Sequence, residues 1–163
     1  MIKVYDVPHG IDEIVAKYGY PGAERLDRDW YEKYTDVFEL PVAMRLSWNP
    51  QKSTRHIRAH REVGLSIVDA IAEIAWYYGE RFREFNRYGG VFNYRHKRGG
   101  SELSVHSWGI AIDLNPHLGH LGSAEDAATY PRPIVEAFKE RGWEWGGDWA
   151  YPDAMHCQAA TGY

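Results

Sequence analysis

The chain is short of several features that commonly reveal function. One cysteine, Cys157, stands among 163 residues, which excludes an internal disulfide and any multi-cysteine zinc site. No stretch approaches the ~18 consecutive apolar residues that a membrane-spanning helix needs. There is no excess of positive charge. Nineteen Lys and Arg against twenty-three Asp and Glu leave a net charge of −4, which argues against a nucleic-acid binder with its cationic face. Repeats and low-complexity tracts are absent. The opening MIKVYDVPHGIDEI is polar and interrupted by Pro8, so no secretory leader is expected. Aromatic residues, in contrast, are plentiful at 15%, including seven Trp and twelve Tyr, and that excludes a disordered chain. The length suits one domain over residues 1–163, with a core of its own and no room for a separate wall-anchoring module. A monomer is expected. Eight histidines are the first sign of chemistry.

Apolar periodicity outlines the organisation. Ile11, Ile14, Val15 and Tyr18 have helical spacing, closed by Gly19 and Pro21. Residues 20–52 read as irregular, with Trp30, Tyr31, Tyr34 and Phe38 covering the core. The central helix is expected to start at Ser53 or Thr54, both good N-caps. Its stripe runs Ile57, Gly64, Ile67, Val68, Ile71, Ile74, Ala75 and Tyr78, with Gly64 marking the close approach of another backbone. Val91 to Arg95 and Ile110 to Leu114 read as strands. A helix from Pro131 or Pro133 buries Ile134, Val135 and Phe138. Trp143 to Trp145 and Met155 to Gln158 complete a small sheet. The expected class is α+β, a small antiparallel sheet packed against helices.

Two segments carry the chemistry. In Ser104-Val-His-Ser-Trp-Gly-Ile-Ala-Ile-Asp113, strand alternation puts Ala111 and Asp113 on one face and Ile110 and Ile112 on the other. A straight strand would place His106 and Asp113 on opposite faces, whereas a bend at Ser107-Trp108-Gly109 lets them converge. In Asp153-Ala-Met-His-Cys-Gln158, His156 and Gln158 share a face, and Met155 and Cys157 point the other way. His106, Asp113 and His156 therefore form a candidate set of three nitrogen and oxygen ligands. Two His and a carboxylate with a fourth position for water is a catalytic zinc pattern, and one Zn2+ is expected. Asp153, three residues before His156, is the candidate general base for a water made acidic by zinc. Arg95 is the candidate to bind a substrate carboxylate or to stabilise an oxyanion.

SVHSWGIAIDLNP, WEWGGDW and DAMHCQ resemble the zinc D-alanyl-D-alanine carboxypeptidases and L-alanyl-D-glutamate endopeptidases of bacteria and phage endolysins. The shared pattern is Ser-x-His, a glycine, Asp seven residues after the His, and a late Asp-x-x-His. It falls on Ser104, His106, Gly109, Asp113, Asp153 and His156. Tyr94-Arg95 before an Arg-Gly-Gly loop is similar to the family's arginine segment. HGIDEIVAKYGYPG and HIRAHREV are similar to compact phage and prophage-type members. Cys157 departs from the pattern, standing where a Phe is common. The resemblance implies zinc, the Hedgehog/DD-peptidase fold, and the peptidoglycan stem peptide as substrate. It leaves open which stem-peptide bond is cut. It also implies synthesis in the bacterial cytoplasm, possible phage coding among the routes, and action on the wall after release, delivery or export.

Blander assignments accompany each residue. Ser104 can contact substrate or only bond the loop backbone. Asp148 can orient a ligand histidine or cap its loop. Trp108, Trp145 and Trp149 are placed near the cleft, Trp108 as a substrate-binding residue. His117 and His120 are solvated loop residues. His56 and His60, four apart on the expected helix, make a poor rival metal site, because no glutamate lies between them and Arg55, Arg58 and Arg61 surround them. The alternative function is a non-catalytic, zinc-containing cell-wall or peptide-binding module of the same fold. Asp153 argues against it, since a structural zinc needs no base.

Overall fold

A computed structural model describes residues 1–163. Helix α1 (Gly10–Tyr18) forms as its spacing predicts, with Ile14 and Tyr18 buried and Gly19 ending it. The next stretch is more regular than expected. Asp27 caps α2 (Arg28–Tyr34) by accepting from the Trp30 N–H at 3.0 Å. The chain then enters a long hairpin, β1 (Thr35–Leu46) and β2 (Asn49–His60).

That hairpin corrects two expectations. Residues 20–52 are not irregular, and residues 53–60 are strand. Ile57 and Ala59 are buried with the half-buried Arg58 between them, a short alternation at the strand's end that the Ser-Thr capping signal obscured. The central helix α3 (Gly64–Tyr78) begins only after the hairpin has turned, and it buries Ile67, Ile71 and Ile74. Gly64 does mark a close approach, but to a side chain. A Cβ there would lie 2.1 Å from the Phe38 ring.

A 3-10 segment, Gly79–Glu84, leads into β3 (Arg87–Gly90). The strand expected at 91–95 therefore sits a few residues earlier, and Val91 to Arg95 is irregular. Strand β4 (Ala111–Leu114) is followed by α4 (Ala124–Thr129), α5 (Arg132–Lys139), β5 (Glu144–Trp145) and β6 (His156–Gln158). Together the strands make one six-stranded sheet in the order β2-β1-β3-β4-β6-β5. It is mixed, because β1 and β3 run parallel while every other pair is antiparallel. The α+β class holds, with helices packed against the sheet.

Ile14, Ile67, Ile71, Ile110 and Phe138 are at most 1% exposed and join one continuous core. Arg141 is equally buried. It holds the end of α5 to α3 through Asp69 and Glu73, each at 2.7 Å. Those two carboxylates compensate a charge that would otherwise be costly to bury.

Candidate metal centre and cleft

The pairing of β4 with β6 sets Asp113 directly opposite His156. Their side chains leave the same face, and the Asp113 Oδ1 lies 2.9 Å from His156 Nδ1. His106 arrives from a different element. Ser104 starts a single 3-10 turn, Val105–Trp108, and its Oγ accepts from the His106 N–H at 3.4 Å. Gly109 then adopts a left-handed conformation, φ 69°, which turns the chain into β4. This bend brings His106 Nε2 to 3.3 Å from Asp113 Oδ1. The potential ligand atoms of His106, Asp113 and His156 all lie within 4.8 Å of one another.

The hydrogen bonds show which nitrogens are free. His106 Nδ1 lies 2.7 Å from the Val91 carbonyl, an acceptor only, so it carries the proton and leaves Nε2 with a lone pair. That Nε2 is buried and has no hydrogen-bond partner. Orphaned polar atoms of this kind are rare in protein interiors. A cation between the imidazoles and the carboxylate would satisfy it. Burial alone would raise the Asp113 pKa, but the two imidazoles beside it, His106 and His156, hold it well below the usual carboxylate range. A residue kept anionic between two imidazoles suits a divalent ion. Cys157 lies on the opposite face of β6, buried, where packing is its role.

Asp153 stands beside this cluster. Its backbone N–H donates to the Gly146 carbonyl at 2.9 Å, and its own carbonyl accepts from the His156 N–H at 3.0 Å. Its Oδ1 is buried without a partner. Desolvation pushes the Asp153 pKa up, with Asp113 adding to the rise and His156 opposing it.

The cluster opens into a cleft of about 370 Å3. Arg95, Lys97 and Arg98 supply its cations, and Leu121, Trp149, Tyr151 and Met155 its apolar lining. Lys97 is engaged by Glu102 at 2.9 Å. Arg95 and Arg98 form no ion pair, although Arg95 Nη1 donates to the His96 carbonyl at 3.2 Å. The cleft thus combines free guanidinium groups with a hydrophobic wall above a ligand cluster.

Most sequence candidates meet here: Arg95, Ser104, His106, Asp113, Asp153 and His156 all line the cleft. Trp108 does not. It is fully buried, with Nε1 donating to the Gly19 carbonyl at 2.7 Å, because the bend turns its indole into the core. Trp145 is also buried, with its Nε1 donating to Ala154 O at 2.8 Å, so only Trp149 of the three reaches the cleft, its ring 5.4 Å from that of His156. Asp148 is exposed and pairs with Lys139 rather than with a ligand histidine. His120 pairs with Asp126 at 2.7 Å. Met155 lines the cleft because it precedes β6, where strand alternation does not yet apply. Sequence reasoning weighed Arg98 only as a neighbour of Arg95 that either faces solvent or replaces it, and passed over Leu121 and Tyr151, which lie in loops without periodicity. It also missed Gln158 as a partner of His156, although their shared strand face was the available signal.

Residues 98–159 match the family model described as D-alanyl-D-alanine carboxypeptidase. The motif resemblance and this match agree over that segment. No curated protein and no solved structure matches the chain. The segment contains Ser104, His106, Asp113, Asp153 and His156, while Arg95 precedes it. The match supports a peptidase and agrees with the His-Asp-His cluster.

Proposed function

We propose that the protein is a zinc-dependent peptidase that hydrolyses an amide bond in peptidoglycan stem peptides. A single ion would be held by Nε2 of His106, a carboxylate oxygen of Asp113 and Nδ1 of His156. The observation that carries this reading is the buried, partnerless His106 Nε2 facing a carboxylate shared with His156. Zinc held there supplies Lewis acidity and lowers the pKa of a water molecule toward ~7.

The chain's own groups supply the rest. Asp153, with a partnerless buried oxygen and a raised pKa, accepts a proton from the attacking water. It hands that proton to the leaving amine as the C–N bond breaks. Desolvation makes it more basic than an exposed aspartate, which favours acceptance of the water proton. Arg95 offers a guanidinium to a substrate carboxylate or to the developing oxyanion. Ser104 holds the His106 turn and presents its edge to the cleft. The apolar wall of Leu121, Trp149 and Tyr151 excludes water from one side of the bound peptide.

Mass spectrometry of purified muropeptides after incubation with zinc-loaded protein, beside a chelated control, tests the proposal. Loss of a terminal alanine identifies a carboxypeptidase. Release of the stem peptide from its L-Ala identifies an endopeptidase. No product from any wall chemotype would overturn the catalytic reading in favour of a non-catalytic binding module.

A further inference from the structure

The two imidazoles of the cluster are fixed in different ways. His106 is oriented by a backbone carbonyl, that of Val91. For His156 the corresponding partner is a side chain, since its Nε2 lies 3.1 Å from Gln158 Oε1. Gln158 is 1% exposed, and its amide is itself fully engaged. Its Nε2 donates to Glu144 Oε2 at 2.9 Å, to the Ala160 carbonyl at 3.1 Å and to the Tyr163 carbonyl at 3.4 Å. All three are acceptors, so they decide which end of the amide is nitrogen. The other end must be the oxygen, and an oxygen can only accept. His156 must then carry its proton on Nε2, which leaves the Nδ1 lone pair directed at Asp113.

We propose that Gln158 is a positioning residue for the metal centre, with Glu144 as its outer anchor. The chain Glu144–Gln158–His156 selects the imidazole tautomer and ring orientation that can ligate a metal. This rests on the zinc reading of the cluster. Sheet geometry makes the chain possible. Glu144 and Gln158 are direct partners across β5 and β6, and Gln158 follows His156 by two residues on the same strand face. A glutamine that merely filled the core would need no particular amide direction. Here the direction is imposed from the outside and passed inward to a ligand.

The test compares three proteins. Gln158→Met keeps the volume but removes the acceptor. The double variant Glu144→Gln/Gln158→Glu keeps an acceptor for His156 at position 158 and moves the donor to position 144, while losing the donations to the Ala160 and Tyr163 carbonyls. Two-bond 1H–15N correlations on metal-free protein, at a pH alkaline enough to leave the ring neutral, report the His156 tautomer. Competition with a chromogenic chelator reports zinc affinity. Gln158→Met is expected to populate both tautomers and to bind zinc about 10- to 100-fold more weakly, the usual effect of losing an outer partner of a metal-bound histidine. The double variant is expected to recover the Nε2–H tautomer and part of the affinity. Zinc binding by Gln158→Met equal to that of the parent, with the tautomer unchanged, would overturn the proposal. Should that variant fail to fold, Glu144→Leu probes the chain from its outer end, and unchanged tautomer and affinity there would overturn it equally. Absence of zinc binding by the parent protein would instead overturn the metal reading, which separates the two failures.

Discussion

Two buried histidines, His60 and His106, differ in how their ring nitrogens are used. His60, at the end of β2, is 1% exposed and enclosed by aromatic rings, those of Tyr18 at 4.9 Å, Tyr34 at 5.6 Å and Trp30 at 6.2 Å. Both of its nitrogens are used. Nε2 meets the Tyr18 carbonyl at 3.3 Å, and Nδ1 accepts from the Glu62 N–H at 3.3 Å. His106 is nearly as buried, at 3%, yet one of its nitrogens has no partner and points at a carboxylate. Burial therefore does not distinguish a ligand from a core histidine. The unspent lone pair does, together with a second imidazole and an anion within reach of it.

The comparison can be broken most decisively at His106. His106→Ala is expected to lose stoichiometric zinc and all hydrolysis, measured by metal analysis after equilibrium dialysis, and full zinc retention would move the site elsewhere. Asp153→Asn should keep its zinc while turnover of muropeptides falls by about 10²- to 10⁴-fold, the range associated with a general acid–base group. Normal turnover at equal zinc content would remove Asp153 from the reaction.

The opposite behaviour is expected at His60. His60→Ala should destabilise the fold by about 3 kcal/mol, as for other large-to-small core changes, with zinc affinity unaltered once folded. Chemical denaturation and chelator competition on the same protein check both halves. His60 also makes a prediction about acid. Burial depresses its pKa to about 4, against an ordinary value near 6.5. The unfolded chain thus takes up a proton below about pH 6.5 while the folded chain does not, and stability falls as the pH drops from about 6.5 towards 4. The full loss amounts to about 3 kcal/mol. In His60→Gln that portion of the acid dependence should vanish, and an unchanged profile would assign it to other groups. The smallest effect is expected at Asp148, whose exposed pairing with Lys139 is of the kind worth at most ~1 kcal/mol. Asp148→Asn should leave zinc affinity and melting temperature nearly where they were, and a clear loss of zinc would restore it as an orienting carboxylate.

What could be read from the chain alone divides along physical lines. Helix α1, strand β4 and helix α5 follow from apolar spacing and local stop signals, and all three form close to where that spacing places them. The hairpin does not follow. Ser53 and Thr54 look like helix caps, and only the partner strand, pairing Phe38 with Ile57 and Thr35 with His60, makes residues 53–60 extended. Non-local hydrogen bonds prevailed over local propensity. The convergence of His106, Asp113 and His156 was legible because strand alternation and one bend decide which side chains meet. Trp108 was misplaced because the direction in which a bend turns its side chains depends on what waits in the core. Gln158 was overlooked because its importance lies in the direction of its amide, and Glu144, Ala160 and Tyr163 determine that direction from the far side.

The contact of Gly109 with the hairpin reaches beyond the local bend. Its carbonyl accepts from the His60 N–H at 3.0 Å, and a Cβ at this position would stand 2.9 Å from that nitrogen. The loop that delivers His106 is therefore moulded against a strand nearly fifty positions earlier in the chain, and Val91, which orients His106, also precedes the matched segment 98–159. The ligand-bearing stretch is thus incomplete as a unit of assembly. A fragment cut to residues 98–159 would lack both the strand that shapes the His106 loop and the carbonyl that orients its imidazole.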